Sequence, residues 1–422
     1  MYKIETLNNG IKLLTAPLKD TKSVTVLVLV KVGSRNEEKD INGISHFIEH
    51  LLFKGTKKRP TSLDITKELD GVGADYNAFT GKDQTGYYVK VAADKIELAF
   101  DIVSDMLLNS SFKSKEIDKE RGVIIEEINM YDDNPLLSID NLFEKIVFKG
   151  HSLERDIAGP KKNIRKITRK EILNYYNKYY ISSNVVVGVG GKFNKQRVNK
   201  LTNKYFKEFK KKKNNLKIDK FVSKQNKLRV NLKYKNTEQV QVALGFPAYK
   251  INDPKTYPLL LLSMILGGNM SSRLFMEIRE KRGLAYSIRT ALEAHEDIGA
   301  FVVFAGLDKS KIELALTTIN NELKKVVDSK VTSDELTRAK DFIRGKLILK
   351  LEDSSNLIQY LATQRLFKNK VDTLEEQLKK IDKVTINQIQ GVAKEIINLN
   401  KLNLSVIGPF KDKNIFFKYL KK

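Results

Sequence analysis

Three residues in the segment 43–53 have the types and spacing needed to bind a metal ion and to use it. His46, Glu49 and His50 are spaced i, i+3 and i+4, so on a helix they project from one face. Two imidazoles one turn apart can bind a single Zn²⁺ at about 2.0–2.1 Å each, and the carboxylate beside them can accept a proton from water on the ion. The chain has no cysteine and only four histidines, so a metal site must be built from His, Asp and Glu.

A catalytic zinc site also needs a third protein ligand and an open position for water. The predicted helix Ser114–Tyr131 contains Glu120 and Glu127, which are two helical turns apart and therefore share a face. One of them could bind the metal while the other supports a ligand. Spacing alone leaves two alternatives open: the histidine pair could be purely structural, and the two acids could lie on a solvated surface.

These side chains must be positioned by the elements around them. The segment Gly43–Phe53 is predicted to be a helix whose remaining apolar residues pack into a core. An alternating strand at Val24–Val32 precedes it, and a pair of strands within Ala74–Ala92 and a helix at Asp94–Leu108 follow it. Adjacent strands covered by packed helices predict an α+β fold, here an α/β sandwich.

The chain repeats itself at an offset of 216 residues. The pentapeptide Lys95–Ala99 recurs as Lys311–Ala315, and the alternating strand Val24–Val28 has a counterpart in Val240–Leu244 (311 − 95 and 240 − 24). Two unrelated features that share one offset indicate a duplication. We therefore predict two homologous α/β sandwich domains.

A lysine-rich stretch, Lys207–Lys227, separates the two copies. Because its like charges repel and its residues are polar, we predict that it is a solvated linker. The predicted boundary lies within it, near residue 215. It gives an N-terminal metal-binding domain of residues 1–215 and a C-terminal domain of residues 216–422.

The overall composition bears on the class of protein. A net charge of +25 would suit a nucleic-acid-binding protein, but the lysines are spread along the chain and no recognition motif accompanies them. No apolar run reaches the length of about 18 residues that a membrane helix needs. The segment Met1–Leu14 lacks the basic head and apolar stretch of a secretory signal. We therefore expect a cytoplasmic protein that binds neither nucleic acid nor membrane, with a basic nucleic-acid-binding protein as an alternative.

The histidine segment resembles a known family. The run His46-Phe47-Ile48-Glu49-His50, followed later by Glu127, is similar to the inverzincin peptidases of the pitrilysin and mitochondrial-processing-peptidase type, family M16. The similarity extends over nearly the full chain, and the length and two halves resemble the short bacterial processing-peptidase-like branch. Further matching segments are Val32–Glu37, Leu52–Thr56, Asn77–Thr80, Glu127–Pro135 and Arg279–Ser287.

The resemblance implies a role for each matching residue of the metal site. His46, His50 and Glu127 would bind one Zn²⁺ per chain. Glu49 would be the general base that activates water for attack on a peptide carbonyl. Glu120 would support the metal site without binding the ion.

The resemblance also implies residues that contact the substrate. Arg279 and Tyr286 match a pair that would stabilise the negative charge developing on the reacting carbonyl. The residues alone leave open a surface ion pair for the arginine and a packed position for the tyrosine. A further segment matches an exposed edge strand that would pair with the backbone of a peptide, although an interior strand is the alternative. Its residues are Asn77, Ala78, Phe79 and Thr80.

The assembly implied by the resemblance is a dimer. Family members enclose a chamber with four such domains, so this two-domain chain would form half of a clamshell and pair as a homodimer, with a heterodimer possible. Its substrates would be peptides or unfolded polypeptide segments. At the offset of 216, the catalytic triplet corresponds to Leu262, Ile265 and Leu266, so the second copy is predicted to bind no metal. A non-catalytic or heteromeric partner subunit of the same fold is the alternative function.

Overall fold

A computed structural model describes residues 2–212 and 218–421, with the backbone alone for Lys421. The predicted boundary between residues 215 and 216 lies outside the described residues. The described chain forms two compact units, and each unit takes segments from both halves of the sequence. Unit 1 comprises Met1–Ile128, Asp156–Ile218 and Leu347–Leu374, and unit 2 comprises Asn129–Arg155, Asp219–Lys346 and Glu375–Lys422.

Unit 1 contains a six-stranded sheet. Its strands are β1 (Lys3–Thr6), β2 (Lys12–Pro17), β3 (Ser23–Val30), β4 (Asp75–Thr80), β5 (Thr85–Ala92) and β6 (Val185–Gly191). Their spatial order is β1-β2-β6-β3-β5-β4, which leaves β4 at an edge. Strands β2 and β6 are parallel, and the other neighbours are antiparallel.

Unit 2 contains a five-stranded sheet of the same design. Its strands are β7 (Arg229–Tyr234), β8 (Gln239–Ala248), β9 (Ala285–Ala294), β10 (Gly299–Asp308) and β11 (Asn403–Gly408). Their order, β7-β11-β8-β10-β9, reproduces the order of the first sheet without β1. The parallel pair recurs as β7 and β11, so the two sheets share both order and direction.

The helices follow the same repeat. Those of the first half are α1 (Ile44–Leu52), α2 (Ser62–Asp70), α3 (Ile96–Asn109), α4 (Ser114–Asp133), α5 (Pro135–Val147), α6 (Lys161–Lys166), α7 (Arg169–Tyr179) and α8 (Lys195–Phe206). Those of the second half are α9 (Thr256–Gly267), α10 (Ile312–Asp328), α11 (Ser333–Leu351), α12 (Ser354–Phe367), α13 (Leu374–Asp382), α14 (Ile386–Ile396) and α15 (Asn414–Lys421). A π-helical turn, Phe275–Glu280, precedes β9.

The predicted duplication and α+β fold are confirmed. Strands β3 and β8 begin at Ser23 and Gln239, and helices α3 and α10 begin at Ile96 and Ile312, so both pairs keep the offset of 216 (239 − 23 and 312 − 96). The helix predicted over Ser114–Tyr131 is α4, which continues for two more residues. It ends before Asn134-Pro135, where the proline begins the next helix.

Two helices cross from one half of the sequence into the other unit. Helix α12 packs against β3 and β6 in unit 1, whereas α5 packs against β8 and β11 in unit 2. Gly188 and Gly190 in β6 make room for α12, since a Cβ on either glycine would lie within 2.8 Å of a carbon of Ile358. Because helices cover both of its faces, β3 is apolar along nearly its whole length.

No helix in the described ranges, 2–212 and 218–421, is both long and apolar enough to cross a membrane. The cytoplasmic location stays a prediction.

Candidate active site

Helix α1 is fixed in unit 1 by the apolar side of its surface. Phe47, Ile48 and Leu52 are fully buried in the core of that unit. The preceding Gly43 has a φ of +104°, and a Cβ there would lie 2.6 Å from the carbonyl oxygen of Ala158. Glycine is therefore required where the chain enters the helix, and the histidine face is aimed by packing on the opposite side.

The structure brings three side chains from two helices together. The Nε2 atoms of His46 and His50 are 3.3 Å apart, and Oε2 of Glu127 lies 3.5 Å from the first and 3.4 Å from the second. Ligands bound tetrahedrally to zinc at about 2.0–2.1 Å lie about 3.3–3.4 Å from each other. The triangle therefore fits Zn²⁺ with a fourth position open, and it is the one such cluster among the described residues.

The ionisation of the two histidines suits a cation between them. Burial and the nearby His50 lower the pKa of His46 to about 4, so its ring is neutral and keeps a lone pair for a metal. Burial also opposes charge on His50, but hydrogen bonds with Glu120 and Glu127 outweigh it and raise the pKa of His50 to about 9. In the metal-free protein, protonated His50 would thus supply the positive charge that a bound divalent cation would otherwise provide to the neighbouring carboxylates.

Glu120 lies behind His50 rather than in the triangle. Its Oε2 is 3.2 Å from Nδ1 of His50, and its Oε1 is 2.8 Å from Nζ of Lys54. Burial would raise the pKa of this carboxyl group, but the hydrogen bonds with His50 and Lys54 lower it overall. An ionised carboxylate on Nδ1 orients the imidazole and leaves Nε2 for the metal. The two glutamates of α4, which spacing alone could not distinguish, therefore occupy different positions.

Glu49 lies beside the triangle, outside the ligand group. Its Oε2 accepts a hydrogen bond from Oγ1 of Thr80, at 2.5 Å. Burial raises the pKa of Glu49, while the hydrogen bond from Thr80 and the charge of His50 act in the opposite direction. A raised carboxyl pKa brings a general base closer to neutral pH, where it both takes up and returns protons efficiently.

Thr80 belongs to β4, the predicted peptide-binding strand. Among the described residues this strand pairs with β5 alone, so it is an edge strand of the described sheet and the interior-strand alternative is wrong. Asn77 is exposed, and its side-chain oxygen accepts a hydrogen bond from the backbone N–H of Ala78. Phe79 and Thr80 are half-buried. The edge thus lies directly beside the carboxylate of Glu49.

Arg279 and Tyr286 lie in unit 2, where the structure places them against each other. The Arg279 guanidinium is 4.9 Å from the ring centre of Phe275 and 5.7 Å from that of Tyr286. The arginine is on the π-helical turn, a distortion that often accompanies functional sites. Tyr286 is 75% exposed on the edge strand β9, so the alternative of a packed tyrosine is wrong.

The sequence did not predict three contacts around the metal residues. Thr80 fixes Glu49, Lys54 fixes Glu120, and the buried carboxylate of Glu37 accepts hydrogen bonds at the start of α1. Lys54, Glu37 and Thr80 all lie in segments that match the family. The matching segments could therefore have identified these residues, although not their partners.

Comparison with family models and with known proteins gives one consistent result. A model described as insulinase (peptidase family M16) matches residues 13–161, and a model described as the peptidase M16 inactive domain matches residues 166–342. An uncharacterized zinc protease of Streptomyces coelicolor is 35% identical over 413 residues, covering 97% of this chain and 90% of the relative. The uncharacterized zinc protease YmxG of Bacillus subtilis is 32% identical, covering 97% and 98%.

Solved structures give the same architecture. A protease from Helicobacter pylori superimposes with a TM-score of 0.91 at 27% identity and covers 97% of this chain and 99% of its own. A Pseudomonas fluorescens structure, described as a peptidase M16 inactive domain, has a TM-score of 0.89 at 19% identity, covering 97% and 98%. At that identity the second likeness shows the fold alone.

Proposed function

The chain belongs to peptidase family M16, and from that membership we propose that it is a zinc-dependent endopeptidase acting on peptides or unfolded polypeptide segments. The observation that carries the proposal is the triangle of His46, His50 and Glu127 with Glu49 at its side. Three ligands, an open position and a neighbouring carboxylate are the minimum set for hydrolysis at a zinc site.

Each residue of the site has a separate task in this mechanism. One zinc ion per chain, held by His46, His50 and Glu127, would supply Lewis acidity and lower the pKa of the attacking water. Glu49 accepts the proton from that water and later donates it to the amine that leaves. Thr80 holds the Glu49 carboxylate towards the edge strand, and Glu120 keeps the His50 ring oriented.

The open edge of β4 supports a preference for extended chains. A peptide that pairs with Asn77–Thr80 as an added strand is bound through its backbone, which gives affinity with little dependence on side chains. The hydrogen bond from Thr80 to Glu49 places this edge next to the proposed base. A folded domain offers no free strand of this kind, so unfolded segments are the proposed substrates.

The proposed assembly is a homodimer in which Arg279 and Tyr286 act on the substrate bound at the partner's zinc site. Mixing Glu49→Gln subunits with Arg279→Ala subunits tests this proposal. Heterodimers should recover part of the activity that either variant lacks alone, because one of the two sites is then complete. No recovery would contradict the cross-chain assignment. A heterodimer with a separate partner chain is the alternative assembly.

A non-catalytic partner subunit is the alternative function, which the match of residues 166–342 to the M16 inactive-domain model leaves open. Zinc analysis combined with cleavage of a quenched peptide, with and without chelator, separates the two functions. We expect one zinc per chain and cleavage that stops on chelation and returns with zinc. A His151→Gln variant is the control, since this histidine lies in unit 2 outside the metal cluster. Zinc binding without cleavage would favour the partner subunit.

A further inference from the structure

The start of helix α1 is held by an acid that lies outside the helix. Gly43 precedes the helix and provides no side-chain cap, and the first turn has no acidic residue. Glu37, six residues earlier, replaces the missing cap. Its Oε2 accepts from the backbone N–H of Gly43 at 2.8 Å, and its Oε1 accepts from the N–H of Ser45 at 2.8 Å.

This carboxylate is also fixed from its other side. The side chain of Asn42 donates to Oε2 of Glu37 at 2.7 Å and to the carbonyl oxygen of Asp156 at 3.0 Å. Glu37 is 3% exposed, so water cannot replace these partners. A buried negative charge at a helix N-terminus interacts favourably with the helix dipole and with the free N–H groups of the first turn.

The same short segment also holds the hairpin that contains the peptide-binding edge. The N–H groups of Ser34 and Arg35 donate to the carbonyl oxygens of Gly81 and Lys82, each at 3.1 Å. The Arg35 guanidinium pairs with Asp83 at 2.6 Å. Residues 33–37, which we call the brace, therefore contact the β4–β5 turn at one end and helix α1 at the other.

We propose that Glu37 is a positioning residue for the metal centre, acting through the backbone at the start of α1 to place the His46 ring in the ligand triangle. His46 directly follows Ser45, whose N–H is bound by Glu37. His46 lies in the first turn of α1, so a displacement of the backbone at Ser45 also displaces the His46 imidazole. Glu127 lies on another helix, α4, and His50 is additionally held by the contact of its Nδ1 with Glu120. The inference rests on the proposed zinc site.

The test compares three single substitutions in the purified, folded chain. Glu37→Gln keeps the shape of the side chain but replaces one acceptor oxygen by an amide donor that faces an N–H group. Glu38→Gln removes the same charge at the adjacent exposed position. Asp83→Asn removes a carboxylate at the other end of the brace, where its side chain is 10% exposed. Zinc affinity is measured by competition with a chromophoric chelator, which requires no turnover.

We expect Glu37→Gln to weaken zinc binding about 10-fold, at the lower end of the range for residues that orient metal ligands. Glu38→Gln and Asp83→Asn should bind zinc as the wild type does. Hydrogen exchange should rise at residues 43–46 and remain unchanged in helix α3, which a general loss of stability would not spare. If Glu37→Gln does not fold, Glu37→Asp, which keeps the charge but withdraws it by one methylene, should show the same local pattern.

Two results would overturn the inference. One is wild-type zinc affinity in a folded Glu37→Gln or Glu37→Asp variant. The other is an equal loss of affinity in Asp83→Asn, which would make Glu37 one of several interchangeable buried acids. A wild-type chain that binds no zinc would instead contradict the proposed function, so the two failures are distinguishable.

Discussion

Helices α1 and α9 occupy corresponding positions in the two copies, yet α1 carries polar residues of the candidate site where α9 carries apolar core residues. The triplet His46, Glu49 and His50 of the first copy corresponds to Leu262, Ile265 and Leu266 in the second, all three of which are buried. Helix α9 is therefore an ordinary core helix. The fold evidently forms with apolar residues at these positions, so the polar residues of α1 are not needed to build it.

The helices that would supply the third ligand differ in the same way. Counting from the first residues of α4 and α11, Ser114 and Ser333, the acids Glu120 and Glu127 correspond to Ala339 and Lys346. Ala339 is buried, and Lys346 is exposed and carries a positive charge that would repel a cation. The first copy instead buries Glu120 at 3% exposure and His46 at 9%. Burying polar groups costs stability, so their presence in one copy alone marks a functional site.

The largest effect should come from giving the first copy the residue of the second. His50→Leu reproduces Leu266 at the corresponding position and removes one of three ligands, so stoichiometric zinc binding and cleavage should both be lost. Elemental analysis and the peptide assay measure the two losses. The fold should persist by circular dichroism, because the second copy folds with leucine there. A folded variant that retains one zinc per chain would contradict the assigned ligand set.

Glu49→Gln should separate metal binding from chemistry. The amide cannot accept a proton from water, so kcat should fall about 10²–10⁴-fold, the range for general acid–base catalysis. Zinc content should not change, since Glu49 lies outside the ligand triangle. Glu49 corresponds to Ile265 in the second copy, and no property of unit 2 should respond. Full activity in this variant would eliminate the proposed mechanism.

A smaller effect is expected behind the metal. Glu120→Gln should weaken the hydrogen bond with Nδ1 of His50, and zinc affinity should fall about 10–100-fold. Glu126→Gln is the matched control, because this exposed neighbour on the same helix loses the same charge. Competition with a chelator gives the ratio of the zinc affinities of the two variants. Equal affinities would show that the contact between Glu120 and His50 does not tune the metal site.

The smallest expected effect is on stability, at the contact between β6 and α12, the helix from the second half that packs in unit 1. Gly188→Ala places a Cβ 2.7 Å from Cγ1 of Ile358 on α12, and the overpacking should cost about 1–3 kcal/mol of unfolding free energy. Gly122→Ala in α4 meets no heavy atom within 4 Å and should be neutral or stabilising by about 1 kcal/mol. Thermal unfolding of the two variants gives the comparison. A Gly188→Ala variant as stable as the wild type would mean that α12 has room to shift.

Much of the architecture was predictable from local pattern. The i, i+3, i+4 spacing of His46, Glu49 and His50 determines one helix face, because helical periodicity is a property of the backbone. The offset of 216 residues predicted the duplication, and the apolar triplet in the second copy predicted that it lacks a metal site. These conclusions need no knowledge of which segments touch.

The tertiary structure alone decided the contacts between distant segments. Glu120 and Glu127 share one face of α4, so periodicity could not tell them apart. Only the packing of α4 against α1 places the second beside both Nε2 atoms and the first behind His50. Packing also decided which segments form each compact unit, because α5 and α12 each pack on the sheet of the other half. Local periodicity specifies faces, whereas close packing of complementary surfaces decides which faces meet.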